Sequence, residues 1–531
     1  MIEIREYKGH IRNHRALMAE LAIDPALAEN REAREQAILV KGYEAWGTEL
    51  PKHLHGMFAF ALYDSEKEEL VCIRDQFGTV PFYYYETEDG ELLVATSIRK
   101  IMALPGFKKE LNEKLLQIYL TMTYTTGEET FFVGLKKLLP GRYMIRKDGK
   151  SEIFRYFRPE FHPDETKTLD QWADEIHETL KVVLSEVKDE REYAESFLSS
   201  GVDSSYVFAL SGLEMSNSCG YDDSRLDESG LAAETAKALG RSNRRCVITP
   251  EMYFGAVPYV MYNMEQPLGD ASAVVFALGC VETAKHSPVC YSGEGADEFF
   301  GGYNMYRNAE RYGPNLPTFY VGNTNIMKED EKKRLLKRYY DDFLPIDLVQ
   351  DLYKENAHLD PLSKMLDVDI QVWLEGDIYL NIDKMSTAAG LEVRMPLTDT
   401  RIFDIASRIP ARFKVDPEQN KVALRTAAAK VLPRKWPSGR SWDSWCLSVF
   451  GWRTSVITAM SVPSSTARSQ KSSSMWTRST PFSMNTSAET PICGGRSGPF
   501  TLSWCGMRST LSRDNVKARL SRAFSTKGGR K

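Results

Sequence analysis

The chain has 531 residues, 42% of them hydrophobic and 27% charged, with a formal net charge of −5. That length predicts two domains or more, and the mild acidity predicts no nucleic-acid or membrane surface. No apolar run approaches the roughly 20 residues of a membrane span, no signal peptide opens the sequence, and eight cysteines without a close Cys-x-x-Cys pair predict reduced thiols, a cytoplasmic chain and no structural zinc.

Residues 1–155 read as an α+β unit. A helical start over 14–27 and an amphipathic helix over 37–46 precede short strands over 57–63, 69–74, 82–86 and 92–95. Strands bounded by Asp, Gly and Pro at such spacing predict stacked antiparallel sheets. Residues 156–175 read as a linker, and a helix over 169–187 opens the next unit. From 195 to about 310 strand and helix alternate, with helices over 228–239, 251–264 and 273–286 and strands over 245–248 and 289–291. That alternation predicts a doubly wound parallel sheet. Residues 334–431 read as helices.

Two runs carry the chemistry. The first is Ser199-Ser200-Gly201-Val202-Asp203-Ser204-Ser205, preceded by Ser196-Phe197-Leu198 and followed by a helix-like run. Strand, tight glycine turn and helix start aim backbone N–H groups at a phosphate. The serine hydroxyls add donors, and Asp203 sits where a carboxylate can hold Mg²⁺ against phosphate oxygens. Alone, the run is equally well a serine-rich helix cap. The second run, Ser292-Gly293-Glu294-Gly295-Ala296-Asp297-Glu298 through Gly301-Gly302, puts three carboxylates and four glycines within eleven residues. Such carboxylates repel one another unless a cation or a metal–polyphosphate complex lies among them. The plain alternative is an acidic surface loop. In a doubly wound sheet both runs fall at the carboxyl ends of strands, where ligands bind.

Together the two runs resemble the nucleotide site of the asparagine synthetase family, within the ATP pyrophosphatase superfamily. The likeness spans about residues 1–433. It extends to Gly56-Met57-Phe58-Ala59-Phe60, to the run from Arg74-Asp75-Gln76-Phe77-Gly78 to Tyr84, to Asp383-Lys384-Met385-Ser386, and to Leu391-Glu392-Val393-Arg394-Met395-Pro396-Leu397. The resemblance implies a partial glutamine amidotransferase domain of Ntn type over 1–155, a linker over 156–175 and an ATP-pyrophosphatase domain over 176–433. It implies ATP and Mg²⁺ as cofactors, small-molecule partners (aspartate, and glutamine or ammonia), and asparagine, AMP and pyrophosphate as products. Oligomeric state is not legible, and a homodimer stays open.

By the same resemblance, Leu198, Ser199, Ser200, Gly201, Val202, Asp203, Ser204, Ser205, Ser292 and Gly293 bind ATP and pyrophosphate. Asp203 and Asp297 hold the metal, and Glu294 handles the ammonia proton. Asp270, Ser272 and Glu298 lie near the aspartate. Lys384 and Arg394 are either structural or phosphate-steering.

The sequence departs from the family in several places. Residue 2 is Ile2 where the family's glutaminase has a nucleophilic cysteine, and roughly the first 70 residues of that domain are expected to be missing. No glutamine hydrolysis is therefore expected, and Cys72 reads as a core thiol. Gln266 replaces a carboxylate. The polar run 215–218 stands where the family has a strand before Gly220-Tyr221-Asp222, near the adenine pocket.

Residues 434–531 hold 16 of the 68 basic and 3 of the 73 acidic residues, with six of the nine tryptophans. Read one base out of frame, 439–460 and 490–511 back-translate to segments like the family's C-terminus. The tail is read as the product of a frame change near Pro433. That change would replace the family's phosphate-neutralising lysine loop with Ser438-Gly439-Arg440-Ser441. Rival readings are a related amidotransferase or β-lactam synthetase-like ligase, and a non-catalytic ATP-binding relic.

Overall fold

The computed structural model describes residues 1–188, 193–223 and 227–433; the reading of 434–531, Arg440 included, falls outside them. The N-terminal half contains β1 (Ile2–Ile11), β2 (Gly56–Asp64), β3 (Glu69–Arg74), β4 (Tyr83–Glu86), β5 (Leu92–Ala95), β6 (Leu135–Lys137), β7 (Arg142–Lys147) and β8 (Lys150–Arg155). They form an antiparallel sheet of order β1-β2-β3-β7-β8 and a smaller one of order β5-β4-β6.

Strand β2 explains why the two sheets stack. Alternate residues of a strand face opposite sides, and here both sides are covered. Phe58, Phe60 and Leu62 pack with Leu17, Ile38 and Leu39 from two helices. Ala59 and Ala61 turn the other way, with Cys72 and Met144, onto Val80, Phe82 and Leu138. Small residues on that face let the second layer come close. Cys72 is fully buried there, and burial pushes its thiol well above the ordinary range, so it is a packing residue.

The start of the chain differs from expectation. Residues 2–11 form a strand paired along its length with β2; the alternating charges of Ile2-Glu3-Ile4-Arg5-Glu6 suit an edge strand with one wet face. The helix expected over 14–27 stops at Glu20, and Asp24 caps a short 3-10 turn, Pro25–Glu29, whose proline starts a new element.

The second half is built on β9 (Ala194–Phe197), β10 (Met215–Tyr221), β11 (Ser242–Ile248), β12 (Val289–Tyr291) and β13 (Glu392–Arg394). All five are parallel, in the order β11-β10-β9-β12-β13. The chain steps outward from β9 to β11, then returns to the other side of β9. The topological switch point thus lies between β9 and β12. Helices Val202–Ser211, Ser229–Ala238, Pro250–Met264 and Ser272–Thr283 supply the crossovers. Helix Leu169–Val187 carries a Thr168/Gln171 capping box and buries Trp172, Ile176, Leu180, Val183 and Val187 at helical spacing.

One expectation is corrected here. Residues 215–218 do form the strand that their polarity argued against, because their side chains pair with one another. Asn217 Nδ2 donates to Glu195 (2.5 Å) and Arg244 donates to both Glu195 and Asn217 Oδ1 (2.7 and 2.8 Å). Ser216 donates to the Ser242 carbonyl and Ser218 to Asn243. A satisfied polar ladder costs little to bury. The 334–431 stretch, expected to be helical throughout, is interrupted by β13.

The two halves are joined by buried ion pairs. Glu375 accepts from Arg74 (2.9 Å) and Lys137 (2.9 Å). Arg12 meets Asp399 (2.7 Å) and Lys8 meets Asp383 (2.6 Å). Glu265 accepts from Ser97, Arg99 and Lys384.

Candidate functional site

The first loop leaves β9 and enters helix Val202–Ser211 through Gly201, whose backbone is extended (φ −75°, ψ 158°). Ser199 and Ser204 tie the turn shut. The Ser199 amide donates to Ser204 Oγ (2.9 Å), the two hydroxyls share a hydrogen bond (2.9 Å), and the Gly201 amide donates to Ser199 Oγ (3.1 Å). The positive end of the helix points out of this turn. Leu198 and Val202 are buried as packing residues, so only their backbone faces the loop. Ser200 is spoken for: its hydroxyl donates to Glu228 (2.6 Å).

The second loop leaves β12, next to β9 and across the switch point. The two loops touch. A Cβ on Gly293 would lie 2.6 Å from the Ser204 nitrogen and 2.7 Å from the Asp203 carbonyl carbon, so only glycine fits. Gly295 (φ +88°) then turns the chain into the short helix Ala296–Phe300. Ser292 is buried, its amide bound to the Arg394 carbonyl (2.9 Å).

Between the loops stands a residue that sequence reasoning missed. Lys421 Nζ lies 2.5 Å from Asp203 Oδ2 and 2.7 Å from Asp297 Oδ1. Burial opposes its charge, but Asp203 and Asp297 hold it above the ordinary lysine range. Lys421 occupies the N-cap of helix Val422–Ala428 in a left-handed conformation (φ +56°). Lysine is a poor N-cap, and that mismatch at a helix start is the only signal the sequence offered. The lysine loop that the family resemblance implies, replaced in this sequence by Ser438-Gly439-Arg440-Ser441, falls outside the described residues.

The carboxylates differ from one another. Burial raises Asp203 to about 6 against the pull of Lys421. Glu294, partly exposed, is raised to about 7 by burial and by the charges of Asp297 and Asp203. Glu298 is buried, pushed well up by burial and then Asp297, and accepts from the Tyr303 hydroxyl (2.6 Å). Asp270 accepts from the Ser272 amide (2.8 Å) and hydroxyl. Burial raises it too, and its charge reaches Glu294. Lys384 and Arg394 sit inside the packing, on Glu265 and on Glu392 with the Val187 carbonyl.

Among the described residues no group of three or more His, Cys, Asp or Glu side chains could hold a metal ion. Two carboxylates do meet the lighter need of Mg²⁺, which takes one or two carboxylates and completes its shell with phosphate oxygens and water. Asp203 and Asp297 already hold a cation between them, and Asp203 Oδ1 is buried without a hydrogen-bond partner among the described residues. The pair fits such an ion. No helix among the described residues is long and apolar enough to cross a membrane.

A parallel-sheet domain with two glycine-containing loops meeting at its switch point, following stacked antiparallel sheets in the chain, defines the class of ATP-dependent amidotransferase ligases. The comparisons with known proteins agree with that class. A family model described as asparagine synthase matches residues 181–438, and one described as a glutamine amidotransferase domain matches 4–157. The chain is 31% identical over 470 residues to asparagine synthetase [glutamine-hydrolyzing] 1 of Bacillus subtilis, covering 80% of this chain and 73% of that protein. It is 30% identical over 471 residues to a putative asparagine synthetase [glutamine-hydrolyzing] of Mycobacterium tuberculosis, covering 80% and 72%. A third relative, asparagine synthetase [glutamine-hydrolyzing] 3 of Bacillus subtilis, is 25% identical over 452 residues, covering 80% and 73%. The chain belongs to the asparagine synthetase (glutamine-hydrolysing) family.

Proposed function

We propose that this chain amidates the side-chain carboxyl of aspartate at the expense of ATP, forming asparagine, AMP and pyrophosphate. The observation that carries the reading is the contact of two phosphate-type loops, residues 199–205 and 292–298, across a switch point with Lys421 between their carboxylates. Its likeness to asparagine synthetases supports aspartate as the acyl substrate.

ATP binds with its phosphates on the Ser199–Ser204 turn and the helix N-terminus behind it. Asp203 and Asp297 would hold Mg²⁺, which when bound would supply charge neutralisation at the phosphates. An oxygen of the aspartate β-carboxylate attacks the α-phosphorus, and the bond to pyrophosphate breaks. Lys421 is placed to balance the charge that builds on the departing phosphates, where a fixed cation in a dry site stabilises most. Ammonia then attacks the acyl carbon of β-aspartyl-AMP, and AMP leaves with the bonding pair. Glu294, raised to about 7, can take the ammonia proton near neutral pH. Asp270, whose charge reaches that carboxylate, and Ser272, which donates to Asp270, are the residues that the family resemblance assigns to the aspartate.

The test is pyrophosphate release with ATP and ammonium, with and without aspartate, in the full chain and in D203N. Aspartate-dependent release that D203N removes supports the reading. Release without aspartate would point to another acyl substrate, and ATP binding with no AMP formed would point to a non-catalytic nucleotide protein.

A further inference from the structure

Two thiols that the proposed reaction does not use face each other at the edge of the parallel sheet. Cys219 on β10 and Cys246 on β11 are direct partners in the strand register. In parallel strands, in-register side chains leave the sheet on the same face at the same height. Neighbouring strands lie about 4.8 Å apart, inside the Cα–Cα range of roughly 4.4–6.8 Å that a disulfide spans. The two thiols are close enough to shift each other's ionisation.

The surroundings favour exchange at this pair. Both residues are partly exposed, whereas Cys72, Cys280 and Cys290 are buried. The covering helix, Ser272–Thr283, gives the sulfur room. A Cβ on Gly279 would lie 2.8 Å from Cys219 Sγ, and the Val275 carbonyl is 3.9 Å from it. β11 is the edge strand of the sheet, so it can move the fraction of an ångström that bond closure requires.

We propose that Cys219 and Cys246 form a reversible dithiol–disulfide site that responds to low-molecular-weight disulfides such as oxidised glutathione. The thiols are not equivalent. Interaction with Cys219 holds Cys246 below the ordinary thiol range, while the same interaction and burial raise Cys219; the charges of Glu282 and Lys285 also reach Cys246. Cys246, on the edge strand of the sheet, is thus the attacking thiolate. Its sulfur attacks one sulfur of the glutathione disulfide, and one glutathione thiolate leaves. Cys219 then gives up its proton to solvent and attacks the Cys246 sulfur, expelling the second glutathione. Two protein thiols are oxidised and one disulfide is reduced to two thiols.

The bond would act on the nucleotide edge of the sheet. β10 runs two residues beyond Cys219 to Tyr221, and the amide of the next residue, Asp222, meets the Ile248 carbonyl at the end of β11 (3.4 Å). Those ends border the first phosphate loop on β9. This consequence rests on the proposed function; the redox site itself does not.

The full chain is equilibrated in glutathione buffers from reducing to oxidising, quenched by alkylation and mapped as peptides without reduction. A peptide linking residues 219 and 246, released by dithiothreitol, is expected, and C219S should instead accumulate glutathione on Cys246. The same link should form in a C446S/C493S/C505S chain; its loss there would overturn the proposal. No link in fully oxidising buffer, or modification of Cys72, Cys280 and Cys290 at the same rate, would overturn it too. ATP binding by the oxidised chain should be about fivefold weaker or more. Equal affinity in both states would overturn the coupling, while no ATP binding by either form, with the link present, would count against the proposed function alone.

Discussion

Glu375→Gln tests how far the two halves depend on one buried carboxylate. Arg74 and Lys137 are each 1% exposed and Glu375 is 3% exposed. Burial works against the Glu375 charge, but Lys137 and Arg74 hold it below the usual carboxylate range. The substitution leaves the cations unequally served. Arg74 keeps the carbonyls of Val80, Leu138 and Gly78 (2.7, 2.8 and 2.9 Å). Lys137 keeps only the Thr125 carbonyl at 3.4 Å. Removing one partner of a buried pair costs about 3–5 kcal/mol, and here the cost falls on Lys137. Burial already lowers that lysine; without Glu375 it falls further below its unfolded value. The deficit should therefore be full below the folded-state pKa and shrink as pH rises toward about 10.4, the unfolded value. The assay is urea unfolding followed by the fluorescence of buried Trp172 and Trp373, at neutral and alkaline pH. Lys137→Met added to Glu375→Gln should recover much of the loss, because no uncompensated ammonium remains. A loss under about 1 kcal/mol, or a double variant no more stable than Glu375→Gln, would refute the reasoning.

Three other outcomes are expected. With Glu294 at about 7, the aspartate-dependent rate should rise with pH through that value as the carboxylate ionises. Glu294→Gln should cost about 10²–10⁴ in kcat and flatten that limb; an unchanged profile would remove Glu294 from proton transfer. Lys421→Met should slow single-turnover pyrophosphate release by about 10²–10³ with unchanged circular dichroism, and a loss under tenfold would make the lysine a structural counter-ion. At the interface Glu265, Glu392 and Asp399 are each held at about 2, where burial is outweighed by Lys384, by Arg394 and by Arg12 respectively. Depressed carboxylates stabilise above their unfolded values near 4 and lose that contribution as pH falls toward 2. The urea midpoint should hold down to about pH 5 and then drop steeply; a midpoint level to pH 3 would contradict the ion pairs.

Much of this protein was legible because its signals are local. Helix Leu169–Val187 shows its apolar spacing and its Thr168 cap in the sequence itself, and the structure has it from end to end. The turn at Gly201 and the glycines around Glu294 are local backbone features, so the sequence marked both loops, and the structure brings them into contact. Tertiary structure decided what depends on residues far apart in the chain. β10 is a strand although polar, because Glu195 and Arg244 complete its hydrogen bonds. β1 takes its conformation from pairing with β2. Lys421 reaches Asp203 across more than two hundred residues, and its neighbours give no hint of that contact. Charge balance in a buried site is a property of what meets in space. Sequence alone named the carboxylates and left the cation between them to the fold.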